Sequence, residues 1–339
     1  MNRIVLRIPK LRGELFGFSI LTILFFHFFE NVSDFGESSP FYTAATVYNT
    51  VFGSVGVDIF LFLSGMGLFF SMAKNSNVPS FYKRRLKRIL PAYLIIGGLG
   101  WIALDLLIQQ CGVLRFLSDF STVSFWAEGN WLVWYISFIM VMYFVFPLIY
   151  RLLNVRSRSL SNILISVLIA AVIVLNISLS FFATEFYDNT EVALWRTVIF
   201  LIGAWFGKTV YKKEKLTYEF YLLVALSIVF TVMTFITNAE PDFLWGIFKL
   251  RFQMTFYPFI ILIAAAGVIS LFDGRLINRV LRWLGGISLE LYLSHVMIRA
   301  VFNSVGLPTY NILNYLMVLV LSFAVSIGVN LLVKRFSKK

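Results

Sequence analysis

Residue types that often define a function are scarce in this sequence. Its 339 residues include a single cysteine, Cys111, two histidines, and charged residues that amount to only 14%. One cysteine excludes an intramolecular disulfide and gives none of the spacings typical of zinc sites. We therefore expect neither a disulfide framework nor a bound metal in this protein.

Apolar residues, in contrast, are in excess. They make up 59% of the chain, against roughly 45–50% in ordinary soluble domains, which indicates an integral membrane protein embedded in a lipid bilayer. The first apolar stretch contains His27 and Glu30, and no small-residue cleavage site follows it. We therefore predict a retained first membrane span rather than a cleavable signal peptide.

Apolar runs long enough to cross a bilayer, about 17–25 residues each, recur along the whole chain. No predicted loop exceeds about 25 residues, which leaves no room for a soluble catalytic domain. Residues 1–339 are thus expected to form one transmembrane domain. The pattern predicts an all-α membrane protein with about ten transmembrane helices, at approximately 14–30, 48–72, 89–109, 131–150, 162–183, 192–210, 218–237, 252–272, 283–303 and 310–333.

The distribution of charge predicts the orientation of these helices, because cytoplasmic loops collect lysine and arginine. Nearly all of the 29 basic residues fall in segments on the same side as the N-terminus, the exceptions being Arg115, Arg196, Lys249, Arg251 and Arg299. Both termini are therefore predicted to be cytoplasmic. Dispersal of the positive charge over separate segments argues against nucleic-acid binding. The opposite loops carry acidic residues, namely Glu30, Asp34, Glu37, Asp119, Glu128, Glu185, Asp188, Glu191, Glu240 and Asp242.

The stretch ILTILFFHFFE places a histidine, His27, inside the first predicted span, where ionisable groups are costly and usually functional. Asp58 falls close to the middle of the second predicted span and needs a cation, a histidine or a polar cavity. A carboxylate that accepts one imidazole N–H leaves the other nitrogen to take a proton from a hydroxyl. We predict that His27 is a general base oriented by Asp58 or Glu30. The alternative is that these groups only make structural hydrogen bonds between helices.

The segment FYKRRLKRILPAY, directly before the third predicted span, is strongly basic. Arg84, Arg85 and Arg88 can share one helical face, and the arginine fork suits phosphate oxygens. The alternatives are a topology anchor or a site for anionic lipid head groups. Arg12 lies roughly on the same helical face as His27 and is either a further phosphate ligand or an interfacial anchor.

Three further ionisable residues lie in predicted spans. Arg196 is a substrate contact, a partner for a buried carboxylate or a snorkelling anchor. Glu290 and His295 are five residues apart and thus on different faces of the ninth predicted helix; they contact the substrate, support the site or bond neighbouring helices. Gly203 and Gly207 form a GxxxG pattern, which predicts a close helix contact.

Six segments together resemble the acyltransferase-3 family of integral membrane O-acyltransferases. The resemblance implies an acyl donor on the cytoplasmic side, usually acetyl-CoA as a co-substrate. It also implies a carbohydrate acceptor, on a surface or lipid-linked glycan, and a bacterial plasma-membrane location. The segments occur in the family's order: LFFH ending at His27, GVDIFLFLSG, FYKRRLKRILPAY, NWLVWYISFIMVMYFVFP, RTVIFLIGAWFGK and SLELYLSH.

The resemblance also assigns roles to individual residues. The family's essential histidine falls on His27, and its basic segment falls on the three arginines of FYKRRLKRILPAY, which implies that they bind donor phosphates. Many members place an arginine eleven residues before the histidine, where this chain has Phe16. Arg12, one turn earlier and about 40° different in azimuth, is the candidate replacement.

These inferences predict a membrane O-acetyltransferase that modifies an envelope sugar such as capsule or exopolysaccharide. The alternative is a transporter or flippase for a lipid-linked sugar, in which the buried ionisable groups line a pathway. Dependence on an acyl-CoA donor separates the two functions.

Overall fold

The computed structural model describes residues 2–53, 55–216, 218–239 and 255–337, and within them every regular element is helical. Four charged residues of predicted outer loops or spans, Glu240, Asp242, Lys249 and Arg251, lie outside the described residues. The helices are α1 (Asn2–Val5), α2 (Arg12–Phe29), α3 (Pro40–Val51), α4 (Val55–Lys74), α5 (Val78–Ala92), α6 (Gly98–Trp101), α7 (Val113–Phe120), α8 (Val123–Glu128), α9 (Trp134–Leu153), α10 (Arg158–Phe182), α11 (Thr184–Leu194), α12 (Arg196–Tyr211), α13 (Tyr218–Ala239), α14 (Tyr257–Leu271), α15 (Leu276–Gly286), α16 (Ser288–Ser304) and α17 (Ile312–Ser337).

Seven segments of the described residues are long and apolar enough to cross a membrane, which agrees with a multi-pass membrane protein. The other three predicted spans correspond to α13, α14 and α16. Helices α13 and α14 contain shorter apolar segments, at Tyr218–Met233 and Tyr257–Leu271, whereas α16 is not among the apolar segments. The total of ten and the cytoplasmic location of both termini stay predictions. The seven segments are Arg12–Phe29, Pro40–Lys74, Val78–Ile108, Trp131–Leu153, Arg158–Phe182, Thr184–Tyr211 and Ile312–Arg335.

The second predicted span, 48–72, is divided in the structure. Helix α3 begins at the N-cap Ser39 and ends before a turn in which Gly53 has a φ of 39°. Because this positive φ interrupts the helical backbone, α4 starts only at Val55, and Asp58 lies in its first turn. The two helices together still make one candidate span, Pro40–Lys74, and the position of Asp58 near the middle of the membrane stays a prediction.

Helices α4 and α12 pack backbone to backbone at the centre of the protein. A Cβ atom at Gly203 would lie 2.1 Å from the carbonyl oxygen of Phe62, and one at Gly207 would lie 2.9 Å from the Cα of Met66. Only glycine allows such an approach, so the predicted GxxxG contact is confirmed. This contact fixes the start of α12 beside the start of α4.

We expect Gly203→Ala to destabilise the protein by roughly 1–3 kcal/mol, the usual cost of overpacking, because its new methyl group must push α12 away from α4. Gly328→Ala is the matched control, since a Cβ there meets nothing within 4 Å. Thermal unfolding of both variants in the same detergent measures the difference. Equal unfolding temperatures would show that the glycine contact is not required.

Helix α2 packs between α4 and α15 and also contacts α16. Its approach to α15 is equally close, because a Cβ at Gly17 would lie 1.9 Å from the carbonyl oxygen of Leu281. The two ends of α2 therefore carry two of the predicted site residues, Arg12 at its start and His27 in its last turn.

Candidate active site

The arginine cavity has a volume of about 470 Å³ and is lined by Arg12, Arg84, Arg85 and Arg88. Among the described residues that line it, no carboxylate is present. The structure therefore brings together all four arginines that the sequence indicated as phosphate ligands. The volume falls within the range of about 300–1,000 Å³ that is usual for small-molecule sites.

Helix α5 carries three of these arginines, and two of them bond to residues at the end of α4. Helix α5 begins at Asn77, whose side chain accepts a hydrogen bond from Ser80 N at 2.9 Å. Arg84 Nη2 donates to the carbonyl oxygens of Ser71 and Asn75 at 3.3 and 3.2 Å, and Arg85 Nη2 donates to Ser71 Oγ at 3.1 Å. The last carbonyls of a helix lack intrahelical partners, so the end of α4 anchors the basic segment.

Two arginines of the cavity each have one buried nitrogen that lacks a hydrogen-bond partner in the described part of the chain. These nitrogens are Arg12 Nε and Arg85 Nε. A buried donor without a partner is costly, and a guanidinium pairs best with a bidentate anion. The arginine cavity is therefore suited to bind an anionic group such as a phosphate.

Arg12 reaches the region that the family arginine would occupy at Phe16. Both residues line the arginine cavity, and the Arg12 guanidinium carbon lies 5.1 Å from the centre of the Phe16 ring. Gly67 makes room for this arrangement, because a Cβ there would lie 2.5 Å from Arg12 Nη2. The geometry supports Arg12 as the replacement.

Glu290 belongs beside the arginine cavity. It is fully buried, its Oε1 accepts a hydrogen bond from Asn330 Nδ2 at 3.0 Å, and the same oxygen lies 3.8 Å from Arg88 Nη1. It is thus placed to orient Arg88. His295, predicted to face a different direction, indeed has different surroundings.

The histidine cavity has a volume of about 380 Å³ and is lined by His27, Glu30, Arg196 and Arg299, among others. His27 Nδ1 lies 2.9 Å from Arg299 Nη1 and 3.4 Å from Glu30 Oε2, and Arg299 Nη2 donates to Glu30 Oε2 at 2.5 Å. The first predicted histidine therefore faces a cavity together with a carboxylate and a second cation. Glu30 is the carboxylate that contacts it.

These contacts constrain the tautomer of His27. A guanidinium can only donate, so its 2.9 Å contact uses the lone pair of Nδ1 and puts the proton on Nε2. If Nδ1 instead carries the proton, it donates to Glu30 and Nε2 becomes a proton acceptor. The partner of Nδ1 therefore decides the role of Nε2. When Nδ1 accepts from Arg299, Nε2 carries the proton; when Nδ1 donates to Glu30, Nε2 can act as a base.

Glu30, directly after the end of α2, is held ionised by its neighbours. Burial alone would raise the pKa of Glu30, but its contacts with His27 and the Arg299 guanidinium outweigh burial. They lower the pKa from its ordinary value of 4.5 to about 2. The Glu30–Arg299 ion pair therefore persists throughout the neutral and mildly acidic range.

Because the folded-state pKa is lowered, Glu30 contributes stability that is complete well above pH 4.5 and is lost as the pH falls toward about 2. We expect Glu30→Gln to lower the unfolding temperature at pH 6 and to have a smaller effect at pH 3. Thermal unfolding of both proteins at the two pH values tests this. A difference that grows on acidification would contradict the lowered pKa.

Asp58 forms its ion pair with Arg196. The Arg196 Nε atom lies 2.9 Å from Asp58 Oδ1, and both side chains are more than nine-tenths buried. Arg196 also donates to the carbonyl oxygen of Val192 at 2.6 Å and lies 5.1 Å from the Trp134 ring centre. The predicted pairing of Asp58 with His27 is corrected accordingly, because the α4–α12 contact gives the carboxylate a permanent cation.

His295 lies behind His27. Their ring centres are 5.4 Å apart, and His295 Nε2 lies 3.3 Å from the hydroxyl of Tyr315, which itself donates to the carbonyl oxygen of Leu24. His295 is fully buried and its Nδ1 has no hydrogen-bond partner among the described residues. It therefore supports the position of His27 and does not line either cavity.

Arg299 is the site residue that sequence reasoning did not select. It lies four residues after His295 in α16, so both side chains reach the end of α2. A signal was present, since Arg299 is one of the few basic residues outside the predicted cytoplasmic segments. The same signal did single out Arg196.

The sequence profile of the acyltransferase-3 family, described as an acyltransferase domain, matches residues 17–333. The chain belongs to the acyltransferase-3 family. It is also 28% identical over 171 residues to the acyltransferase MdmB of Streptomyces mycarofaciens. The match covers 44% of this chain and 41% of that relative, and no solved structure matches the chain.

The family resemblance predicted from the sequence is thus confirmed. The matched residues include His27 and the basic segment of α5, whereas Arg12 lies just before them. The roles of the individual acyltransferase-3 site residues stay predictions.

Proposed function

We propose that this acyltransferase-3 protein moves an acetyl group from acetyl-CoA to a hydroxyl of a surface or lipid-linked glycan at the bacterial plasma membrane. One observation carries the proposal. The arginine cavity and the histidine cavity lie end to end and have Ile23, Val57 and Tyr292 in common. A candidate anion site and a candidate base thus lie in adjacent cavities. Transfer of an acyl group from a charged donor to an activated hydroxyl needs both sites close together.

The arginine cavity fits the chemistry of coenzyme A. This donor carries its phosphates at one end and its thioester at the other, joined by an uncharged arm. Arg84, Arg85 and Arg88 would hold the phosphates, with Arg12 as a further ligand. Phe16 and Ile23 line the same cavity and suit the uncharged arm. The donor supplies the activated acyl group.

In the proposed reaction, His27 takes the proton of the acceptor hydroxyl as its oxygen attacks the thioester carbonyl. The C–O bond of the ester forms, the C–S bond breaks, and the leaving thiolate receives the proton from His27. For this step Nδ1 must donate to Glu30 so that Nε2 can accept. The Arg299 guanidinium, released from Nδ1, is then available to stabilise charge on the carbonyl oxygen.

The histidine cavity suits an acceptor that is polar but also has apolar faces. Trp131 and Trp134 present indole rings to it, and Asn303 presents an amide. Aromatic side chains contribute broad contact area, and a few placed polar groups fix orientation. These features support a sugar as the acceptor. The scarcity of lysine and arginine in the predicted outer loops supports an outward-facing location for this cavity.

The proposal is tested with purified protein in lipid nanodiscs, acetyl-CoA carrying an isotope in the acetyl group, and glycan from a strain that lacks this protein. We expect the label to appear as an ester on the glycan, detected by mass analysis. Unchanged glycan acylation in the deletion strain, together with no binding of acetyl-CoA, would contradict the proposal. Movement of a lipid-linked sugar without acetyl-CoA would instead identify the transporter alternative.

Gly67→Ala is expected to weaken acetyl-CoA binding about tenfold with little loss of stability. The new Cβ would lie 2.5 Å from Arg12 Nη2, so this flexible guanidinium must move away from the donor. A hydrogen bond to a charged group contributes about 1.5–3 kcal/mol, and about 1.4 kcal/mol is a factor of ten. Titration calorimetry measures the affinity. Gly267→Ala is the control, because a Cβ there meets only ordinary van der Waals contacts. Equal affinity for acetyl-CoA in both variants would show that Arg12 does not bind the acyl donor.

A further inference from the structure

Three residues from three different helices lie between the two cavities. Ile23 of α2, Val57 of α4 and Tyr292 of α16 line both the arginine cavity and the histidine cavity. All three are at least nine-tenths buried. We call these three residues the partition.

Tyr292 is the largest member of the partition and is held by aromatic packing. Its ring lies 5.4 Å from the ring of Tyr135, with an angle of 69° between their planes. Tyr135 also lines the arginine cavity, so two packed tyrosine rings form part of its lining beside the histidine cavity.

The positions of the functional residues give the partition its importance. The four arginines line one cavity and His27 lines the other. If the phosphates bind at the arginines and the hydroxyl is activated at His27, the acyl carbon must pass the partition. The space available there limits the size of the group that passes.

We propose that the partition seals the arginine cavity from the histidine cavity and that Tyr292 determines the largest acyl group that can be transferred. The inference rests on the proposed function and deepens it by naming a short acyl chain as the cargo. Tyr292 is a specificity-determining residue here and takes no part in proton transfer. Removing its ring joins the two cavities and admits longer chains.

The seal is tested by cysteine accessibility, which needs no enzymatic activity. The natural Cys111 is exposed, so a Cys111→Ser background carries Ser64→Cys, which lies on the arginine cavity. The protein is placed in sealed vesicles of one orientation, and a membrane-impermeant thiol reagent is added to either face. We expect labelling from one face with Tyr292 present, and from both faces with Tyr292→Ala.

Tyr292→Phe is the matched control because it keeps the ring and removes only the hydroxyl. It is expected to label from one face, like the protein with Tyr292. If Tyr292→Ala does not fold, Tyr292→Leu replaces it, since leucine fills less of the passage than the ring does. Labelling of Ser64→Cys from one face only in a folded Ala or Leu variant would overturn the seal.

The acyl specificity is tested with acetyl-, propionyl- and butyryl-CoA at equal concentrations. One methylene typically changes the specificity ratio by roughly 10–200-fold when a pocket excludes it. We expect Tyr292→Ala to raise the butyryl-to-acetyl ratio of kcat/KM at least about tenfold, and Tyr292→Phe to leave it unchanged. An unaltered ratio in Tyr292→Ala would overturn the role of Tyr292 in specificity.

The two experiments also separate this inference from the proposed function. Absence of any acyl transfer by the unchanged protein contradicts the proposed function. Labelling from both faces in Tyr292→Ala supports the seal even in that case. Transfer by the unchanged protein with one-sided labelling in every variant supports the proposed function and overturns the partition.

Discussion

Replacing His27 by alanine is expected to lower the rate of acyl transfer by roughly 10²–10⁴-fold, which is the usual contribution of a positioned general base. The affinity for acetyl-CoA should change little, because His27 does not line the arginine cavity. Initial rates at saturating acetyl-CoA and the dissociation constant of the donor measure the two effects. A large loss of rate with unchanged donor affinity assigns His27 to the chemical step.

His295 provides the comparison for this experiment, because it is the only other histidine. It is fully buried behind His27 and lines neither cavity. We expect His295→Gln to reduce the rate by less than about tenfold, through small displacements of His27. Thermal unfolding of both variants identifies any loss of folded protein. An equal loss of rate in the two variants would show that proton transfer does not belong to His27 alone.

The parts of this site that were predictable from sequence are those set by local spacing. Arg84, Arg85 and Arg88 lie within about one helical turn, so their common face follows from helix geometry. His27 stood out because an ionisable residue in an apolar helix is costly. In both cases the structure places the residues on cavities.

The pairing of Asp58 was not predictable in this way. Its partner Arg196 is far away in the sequence, and the two meet because Gly203 lets α12 approach α4. Helical periodicity shows which face of a helix is polar but not which helix lies opposite. The sequence predicted a cation, a histidine or a polar cavity as the surroundings of Asp58, and the structure shows the cation in place of His27. Among the alternatives for Arg196, the buried-carboxylate partner is confirmed.

The contact of Arg299 with His27 and the existence of the partition were not predictable from the sequence for a related reason. Arg299 reaches His27 from α16, and the partition combines single side chains from α2, α4 and α16. Ile23, Val57 and Tyr292 are ordinary residues of apolar helices, and nothing in their spacing distinguishes them from the rest of the core. Their importance comes only from the two cavities that they separate.

Asp58→Ala is expected to destabilise the protein by about 3 kcal/mol. Removal of one partner from a buried ion pair costs about 3–5 kcal/mol, because the other charge stays buried. The low end applies here, since Arg196 keeps its hydrogen bond to the carbonyl oxygen of Val192 and its position over the Trp134 ring. Thermal or chemical unfolding in detergent measures the loss.

A double variant separates the stability of this pair from its use in the site. Asp58→Leu combined with Arg196→Met removes both charges and is expected to recover most of the lost stability, because apolar replacements of a buried pair are often neutral. It should not recover acyl transfer to the same extent, since Arg196 lines the histidine cavity. Full recovery of both would show that the pair serves folding alone. Wild-type stability in Asp58→Ala would instead show that Arg196 does not depend on this carboxylate, and that the contact between α4 and α12 is maintained by the glycine packing.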